Sequence, residues 1–465
     1  MTSNIVSSSR MTGERLSSKK LPLALAAVLL LGLGLRLHFA WSSKDLPPAI
    51  GDAADYASIA ENVARRGEFS LEAGVPTARR PPAYPAFLAL FLRFTPTPWN
   101  SVRLVQAVLD TATCLIVFLL AWLHYRRREE ALLAAALYAL HPVFAAYVGV
   151  ILTETLFLAL WGGAVWCLVL LARHGEEGRP AAGAALWGAA AGFMLGIAIL
   201  CRANLILFPP AVAFFLLLFH RRPPPDGLPR RAALLRSPAA AFPRQRAWSH
   251  FLAVSLGRPR GLLLGLAVMV LCSYLVILPW SARNRAVFGR RIPVGTGGGV
   301  AFWVGAQTAR PYPDHVGMIE KVSAGRTDSE ADEEFYRLAK EDIRRNWPGV
   351  LADLPRRFAH FWLTSHSSIL GVDESLAAYR AQGRWGPVLG RVLLWALHLS
   401  LLAAGALGLW LARKKWSPLA TITLAAFLYY SLHVLNDYWP NRFQLPALML
   451  LLVFAAGSLV RGVRR

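Results

Sequence analysis

About ten runs of roughly 17 to 25 predominantly apolar residues, separated by polar or basic stretches, dominate this sequence and leave it little choice of fold. A helix rising 1.5 Å per residue needs about 20 such residues to cross a hydrocarbon core, where a chain must satisfy its own backbone groups. The runs fall at 21–41, 99–124, 130–149, 152–172, 181–201, 203–220, 261–280, 387–412, 417–435 and 443–461. A water-soluble globule is excluded by composition, because 55% of the residues are hydrophobic, only 17% are charged, and mean hydropathy is +0.41. The expected fold is all-α, a polytopic bundle of about ten or more transmembrane helices.

The net charge of +23 does not point to nucleic acid, since the arginines sit between apolar runs and not on a polar domain. Basic loops stay in the cytoplasm, which makes residues 1–20, with Arg10, Arg15, Lys19 and Lys20, a cytoplasmic tail. The first run continues through Arg36 to Trp41 and reads as a retained anchor, not a cleaved signal peptide. Alternating spans then put Arg126 to Arg128, the loop 221–260, Arg413 to Lys415 and the tail Arg461, Arg464 and Arg465 on the same side. The loop 221–260 alone holds nine arginines against one aspartate.

The resulting organisation has a bundle over 21–280 with a first outer loop at 42–98, an extracytoplasmic segment at 281–386, and C-terminal transmembrane helices over 387–465. The apolar stretch 82–95 is too short to span and is expected to lie at the outer interface. Within 321–347, Phe335, Leu338 and Ile343 recur at helical spacing among acids and predict an amphipathic helical subdomain. Cys114, Cys167, Cys201 and Cys272 lie in apolar runs without ligand spacing and read as small core side chains. His141, His360 and His366 lack the spacing of a metal site, and Gly295 to Gly299 lacks the context of a phosphate-binding loop and reads as a flexible connection.

Charged groups at the ends of spans are costly unless partnered or used, and here they collect on one side. Asp52 and Asp55 follow the first span, Arg79 and Arg80 precede Pro81 and Pro82, and Glu154 opens the fourth span. Arg202 lies between the fifth and sixth, Arg283 follows the seventh, and Asp437 and Arg442 lie between the last two. Each also has an ordinary reading: helix starts for Asp52, Asp55 and Glu154, snorkelling for the arginines. Snorkelling alone leaves their shared side unexplained, and together they outline a site that handles an anion beside a carboxylate.

Five segments then suggest a family. Gly51 to Ala60 (GDAADYASIA), Arg79 to Pro85 (RRPPAYP), Leu152 to Phe157, Pro279 to Asn284 with Phe288-Gly289, and Arg442 to Pro446 occur in the family's order across most of the chain. The sequence resembles GT-C-type integral membrane glycosyltransferases, specifically the protein O-mannosyltransferase-like and lipid A aminoarabinose transferase-like groups. Where that family pairs its first Asp with an acidic neighbour, Ala53 follows Asp52 here, and Asp55 one helical turn later is the candidate substitute.

The resemblance implies a GT-C-like bundle and a hexosyl or pentosyl transferase that takes its sugar from a polyprenyl-monophosphate donor at the outer membrane surface. Asp52 is then the candidate general base, with Asp55 and Glu154 sharing the catalytic carboxylate role, and Arg80, Arg283, Arg442 and Arg202 the candidate phosphate-binding residues. A single displacement would invert the anomeric centre. The acceptor is open among lipid, glycan and protein hydroxyls or phosphates. Membrane lipids are the further partner, nucleic acid is not, and no cofactor is expected, a divalent metal being conceivable but not indicated. The expected location is a bacterial inner membrane, multi-pass, with the site facing outward. Two alternatives stay open: a transporter or flippase of lipid-linked sugars, and a ligase using a lipid-diphosphate donor.

Overall fold

The computed structural model describes residues 20–49, 51–177, 179–219, 260–308, 315–364, 366–435 and 441–463. The basic residues before Lys20, most of the loop 221–260, Asp437, Arg464 and Arg465 lie outside the described residues. The described chain is an all-α membrane bundle with one two-stranded antiparallel hairpin, Ser70–Glu72 against Val75–Pro76, in its first loop.

Every apolar run has a helical counterpart, but they are not all alike. Eight described helices are long and apolar enough to cross a membrane: Leu21–Ser42, Pro98–Tyr125, Glu154–Gly175, Ala181–Cys201, Arg260–Phe288, Trp385–Lys415, Pro418–Leu435 and Arg442–Val463. The run 130–149 is a pair, Arg128–Ala139 and Pro142–Gly149, bent by 48°. His141 stands in the extended conformation that a following proline favours, so the helix breaks there. The run 203–220 yields only the short apolar stretch Ala203–Phe219, because the chain enters it through a 3-10 turn at Ala203–Leu205. The span expected to end at 280 runs on as helix to Phe288 with a polar final turn.

Close helix contact is built on glycine, as membrane interiors favour. Gly188, Gly192 and Gly196 form one face of Ala181–Cys201, and a Cβ at Gly188 would stand 2.1 Å from the carbonyl oxygen of Gly265 on Arg260–Phe288. The core also holds a buried charge. Arg36 donates from Nε to Asp110 at 2.7 Å and from Nη1 to the carbonyls of Gly32 and Ala139 at 2.9 and 2.7 Å, and Tyr138 donates to the other Asp110 oxygen at 2.7 Å. A buried pair of this kind is worth little net stability but is costly to break, so it keys the helices carrying Arg36, Asp110 and Tyr138 to one register.

The short stretch 82–95 forms the helix Ala83–Phe94, packed through Tyr84 on Tyr56 of the helix Gly51–Arg66. In the segment after Phe288, the helices Gly298–Ala306, His315–Ser323 and Asp328–Leu363 enclose a separate small core around Trp303, Phe335 and Ala339, with Leu338 and Ile343 packed against it. The glycine-rich stretch before it is not the flexible connection its composition suggests. Asp332 accepts from the backbone N–H groups of Gly297 and Gly299 at 2.8 and 2.7 Å, capping the helix that begins at Gly298. The four cysteines are unpaired, three of them buried.

Candidate active site

Seven charged side chains from distant parts of the chain form one continuous ion network at one end of the bundle. Asp52 and Asp55 occupy the first turns of Gly51–Arg66, whose start requires the positive φ of Gly51, 58°. Arg80 reaches both acids, donating from Nη2 to Asp52 Oδ1 at 2.5 Å and from Nε and Nη2 to Asp55 Oδ2 at 3.0 and 2.8 Å. Arg79 adds a contact to Asp55 at 3.3 Å. The other Asp52 oxygen accepts from Nη2 of Arg442, whose Nη1 lies 3.6 Å from Glu154. Glu154 in turn pairs with Arg202, which also donates from Nε to Thr153 Oγ1 at 2.8 Å.

Local structure explains why these groups meet. Glu154 is the first residue of its spanning helix, where a carboxylate suits the helix dipole. Arg202 is the extended residue closing Ala181–Cys201, and Arg442 sits in the 3-10 turn that leads into the last helix. Two helix starts and one helix end therefore come to the same end of the bundle, which is the result of threading successive spans antiparallel. Aromatic rings line the cations: Arg202 lies over Phe157 and Phe443, each 5.2 Å to the centroid, and Arg80 lies 5.5 Å from the Tyr56 ring.

Among the described residues the network carries four guanidiniums against three carboxylates, a surplus of one positive charge. Burial alone would raise the Asp52 carboxyl, but Arg80 and Arg442 outweigh it and hold the group below the ordinary aspartate range. Burial works against the Arg80 cation too, and is outweighed by Asp52, Tyr56 and Asp55, so its charge is retained. Each of these carboxylates faces a guanidinium. Among the described residues, no group of three or more His, Cys, Asp or Glu is placed to hold a metal ion.

Of the expected site residues, Asp52, Asp55, Glu154, Arg80, Arg202 and Arg442 come together. Arg283 does not join them. Its Nη1 donates to the carbonyl of Thr77 at 2.9 Å and to Asn284 at 3.0 Å, its Nη2 donates to the carbonyl of Phe69 at 3.2 Å, and it lies 4.8 Å from the Trp280 ring centroid. Arg283 thus braces the segment that delivers Arg79 and Arg80, a positioning role in place of the expected phosphate contact. The same segment is held by Asp328, which accepts from Thr77 Oγ1 and from the Ala78 N–H, and by Thr296, whose N–H donates to the Ala78 carbonyl at 2.8 Å.

Sequence reasoning placed Arg79 in the charged cluster without giving it a role, and missed Thr153 as a network member. It also missed Thr155 and Gln444, next to Glu154 and two residues past Arg442, whose buried polar side chains have no hydrogen-bond partner among the described residues. Glu154 Oε2 shares that state. Buried polar atoms are rarely left unpaired, and these are available to a hydroxyl-bearing ligand.

Comparison with known proteins gives a family match over part of the chain. Residues 79–225 match the family described as dolichyl-phosphate-mannose-protein mannosyltransferase. No curated protein matches. Among solved structures, the chain is similar to the archaeal oligosaccharyltransferase AglB from Archaeoglobus fulgidus, in complex with an inhibitory peptide and a dolichol-phosphate, with 12% identity and TM-score 0.47 over 95% of this chain and 50% of that one. The apo oligosaccharyltransferase of the same organism gives 13% identity and TM-score 0.49, over 96% of this chain and 51% of that one. ArnT from Cupriavidus metallidurans in the apo state gives 14% identity and TM-score 0.38, over 93% and 77%. The chain spans about half the length of the archaeal enzyme. The matched segment contains Arg79, Arg80, Glu154 and Arg202, and on it stands the resemblance of this chain to GT-C-type integral membrane glycosyltransferases.

Proposed function

We propose that this protein transfers a sugar from a polyprenyl-monophosphate donor to an acceptor hydroxyl or phosphate at the outer membrane surface, by inverting single displacement. The observation that carries the proposal is the placement of Asp52 between Arg80 and Arg442, inside a network with one spare positive charge. A lipid-phosphate sugar brings its phosphate to the interface and its tail into the bilayer, so it needs guanidiniums at the mouth of an apolar bundle. The family match over residues 79–225 supports the same donor class, as does the dolichol-phosphate named with the archaeal relative.

In the reaction the acceptor oxygen bonds to the anomeric carbon as the bond from that carbon to the phosphate oxygen breaks. The acceptor proton passes to the Asp52 carboxylate, and the departing phosphate keeps the electron pair. Arg80 and Arg442 meet the charge that grows on that phosphate, an interaction stronger in the transition state than before it. Since both arginines also hold Asp52 below its ordinary range, the phosphate competes for them and draws them off the carboxylate, making it a better base once donor is bound. Glu154, anchored by Arg202, offers its unpaired oxygen to the acceptor, and Thr155 and Gln444 are suited to sugar hydroxyls.

Purified protein supplied with radiolabelled polyprenyl-monophosphate sugar and a membrane extract as acceptor source tests the reading. Labelled product should appear in step with free polyprenyl phosphate. Transport of the intact lipid across vesicles without its cleavage would sink the proposal.

A further inference from the structure

A cavity of about 660 Å³ opens between the end of Asp328–Leu363, the 3-10 turn Ser367–Leu370 and the first part of the span Trp385–Ala412. None of the seven network residues lines it. The helix Asp328–Leu363 divides its last turn between two neighbours. Trp362 turns to the bundle, stacking on Phe427 at 4.5 Å and donating to Ser431 at 3.0 Å, whereas His360 and Leu363 face the cavity.

The opposite wall comes from Arg391, Val392 and Trp395. Trp395 is 48% exposed and Leu389, one turn from Val392, is 60% exposed, so the cavity opens on the apolar flank of a spanning helix, where lipid lies. Arg391 stands about 9 Å along that helix from Trp385, within two turns of the start of the span. It donates from Nε to Ser367 Oγ at 3.2 Å and from Nη2 to the carbonyl of Val372 at 2.7 Å. No carboxylate among the described residues pairs with it, and its Nη1 makes no hydrogen bond there. An arginine held rigidly at the rim of an apolar cavity, with its charge uncompensated, is a receptor for an anionic head group.

We infer that this cavity binds an anionic phospholipid of the surrounding leaflet, with its phosphodiester on Arg391 and its acyl chains against Leu363, Val392 and Trp395. The charge on Arg391, faced only by neutral acceptors, selects an anionic head group over a zwitterionic one. Burial, reinforced by Arg356, lowers the His360 imidazole from its ordinary range, and Arg391 is the one arginine or lysine among the described residues that line the cavity. One guanidinium matches the single charge of a phosphodiester head group. The site is independent of the glycosyl-transfer reading, because its test measures binding alone.

Native mass spectrometry of the full chain in mild detergent tests this, with phosphatidylglycerol, phosphatidylcholine or a polyprenyl phosphate added. The wild type should retain phosphatidylglycerol in preference to phosphatidylcholine. Arg391→Gln should lower phosphatidylglycerol retention about tenfold, the equivalent of about 1.4 kcal/mol, and leave polyprenyl phosphate retention unchanged. Val392→Trp fills the cavity without touching the arginine and should also reduce phosphatidylglycerol, which decides the matter if the Arg391 variant does not fold. Equal phosphatidylglycerol retention by a folded Arg391→Gln protein, no reduction by Val392→Trp, no preference over phosphatidylcholine, or an Arg391-dependent loss of polyprenyl phosphate instead would each overturn the inference.

Discussion

Arg202 and Glu154 form an ion pair from which water is almost wholly excluded, with side chains 7% and 1% exposed, at the junction where one spanning helix ends and another begins. Glu154 also lies 3.6 Å from Arg442, so the pair is both the inner anchor of the network and its link to Asp52. Removing one partner leaves the other charge buried and uncompensated.

Arg202→Leu or Glu154→Gln alone should therefore destabilise the protein by about 3–5 kcal/mol, and the double variant by clearly less than the sum. Thermal unfolding of the four proteins in one detergent measures this as a double-mutant cycle. Additive losses would show that the two side chains act independently.

Asp52→Asn should reduce turnover by about 10²–10⁴-fold, because it removes the base and keeps the shape, while the lost ion pairing lowers the melting temperature without unfolding the protein at assay temperature. The pH profile carries a sign as well. A carboxyl held below its ordinary range stays ionised down to lower pH, so the acid limb of kcat/KM should fall below the usual aspartate range. The pairing stabilises the fold above the unfolded-state value and is lost as pH drops through the lowered folded value. Arg80→Gln removes one of the two cations and should move the acid limb upward; an unmoved limb would detach Arg80 from Asp52.

Arg283→Ala should loosen the segment around Phe69 to Arg80, since two backbone carbonyls lose a charged donor, at about 1–3 kcal/mol. Faster hydrogen exchange over residues 68–80 together with lower activity is the expected result. Lost activity with unchanged exchange would return Arg283 to direct donor contact.

Gly299→Ala should be poorly tolerated, although the position is not a member of the ion network. A Cβ there would stand 2.1 Å from the backbone oxygen of Asp332, so the Asp332 cap and the small core beneath it must shift. A loss of about 1–3 kcal/mol in unfolding measurements is expected.

The membrane helices were legible in the sequence because each is a local property: about 20 apolar residues in a row need no partner to be recognised. The site was legible in outline for a related reason, since alternate spans must return to the same side and so bring residues 52, 154, 202 and 442 to one end. What escaped was direction. Nothing local distinguishes Arg283, whose guanidinium turns to the carbonyls of Thr77 and Phe69, from Arg80, which turns to two acids. The Asp332 cap joins residues 33 and 35 positions apart and is invisible to composition, so a pinned stretch read as a loose one. The pair Arg36 and Asp110 left a usable trace, as opposite charges isolated in two apolar runs seldom occur without each other.

Arg442 meets Asp52 across 390 residues of sequence, and it enters the chain only just before the final helix. A ribosome that has delivered everything up to the penultimate span has released a nascent chain whose carboxylate still lacks its second cation. Completion of the ion network consequently waits for residue 442, and a polypeptide shortened before that turn lacks the second cation of Asp52 however well its earlier helices insert.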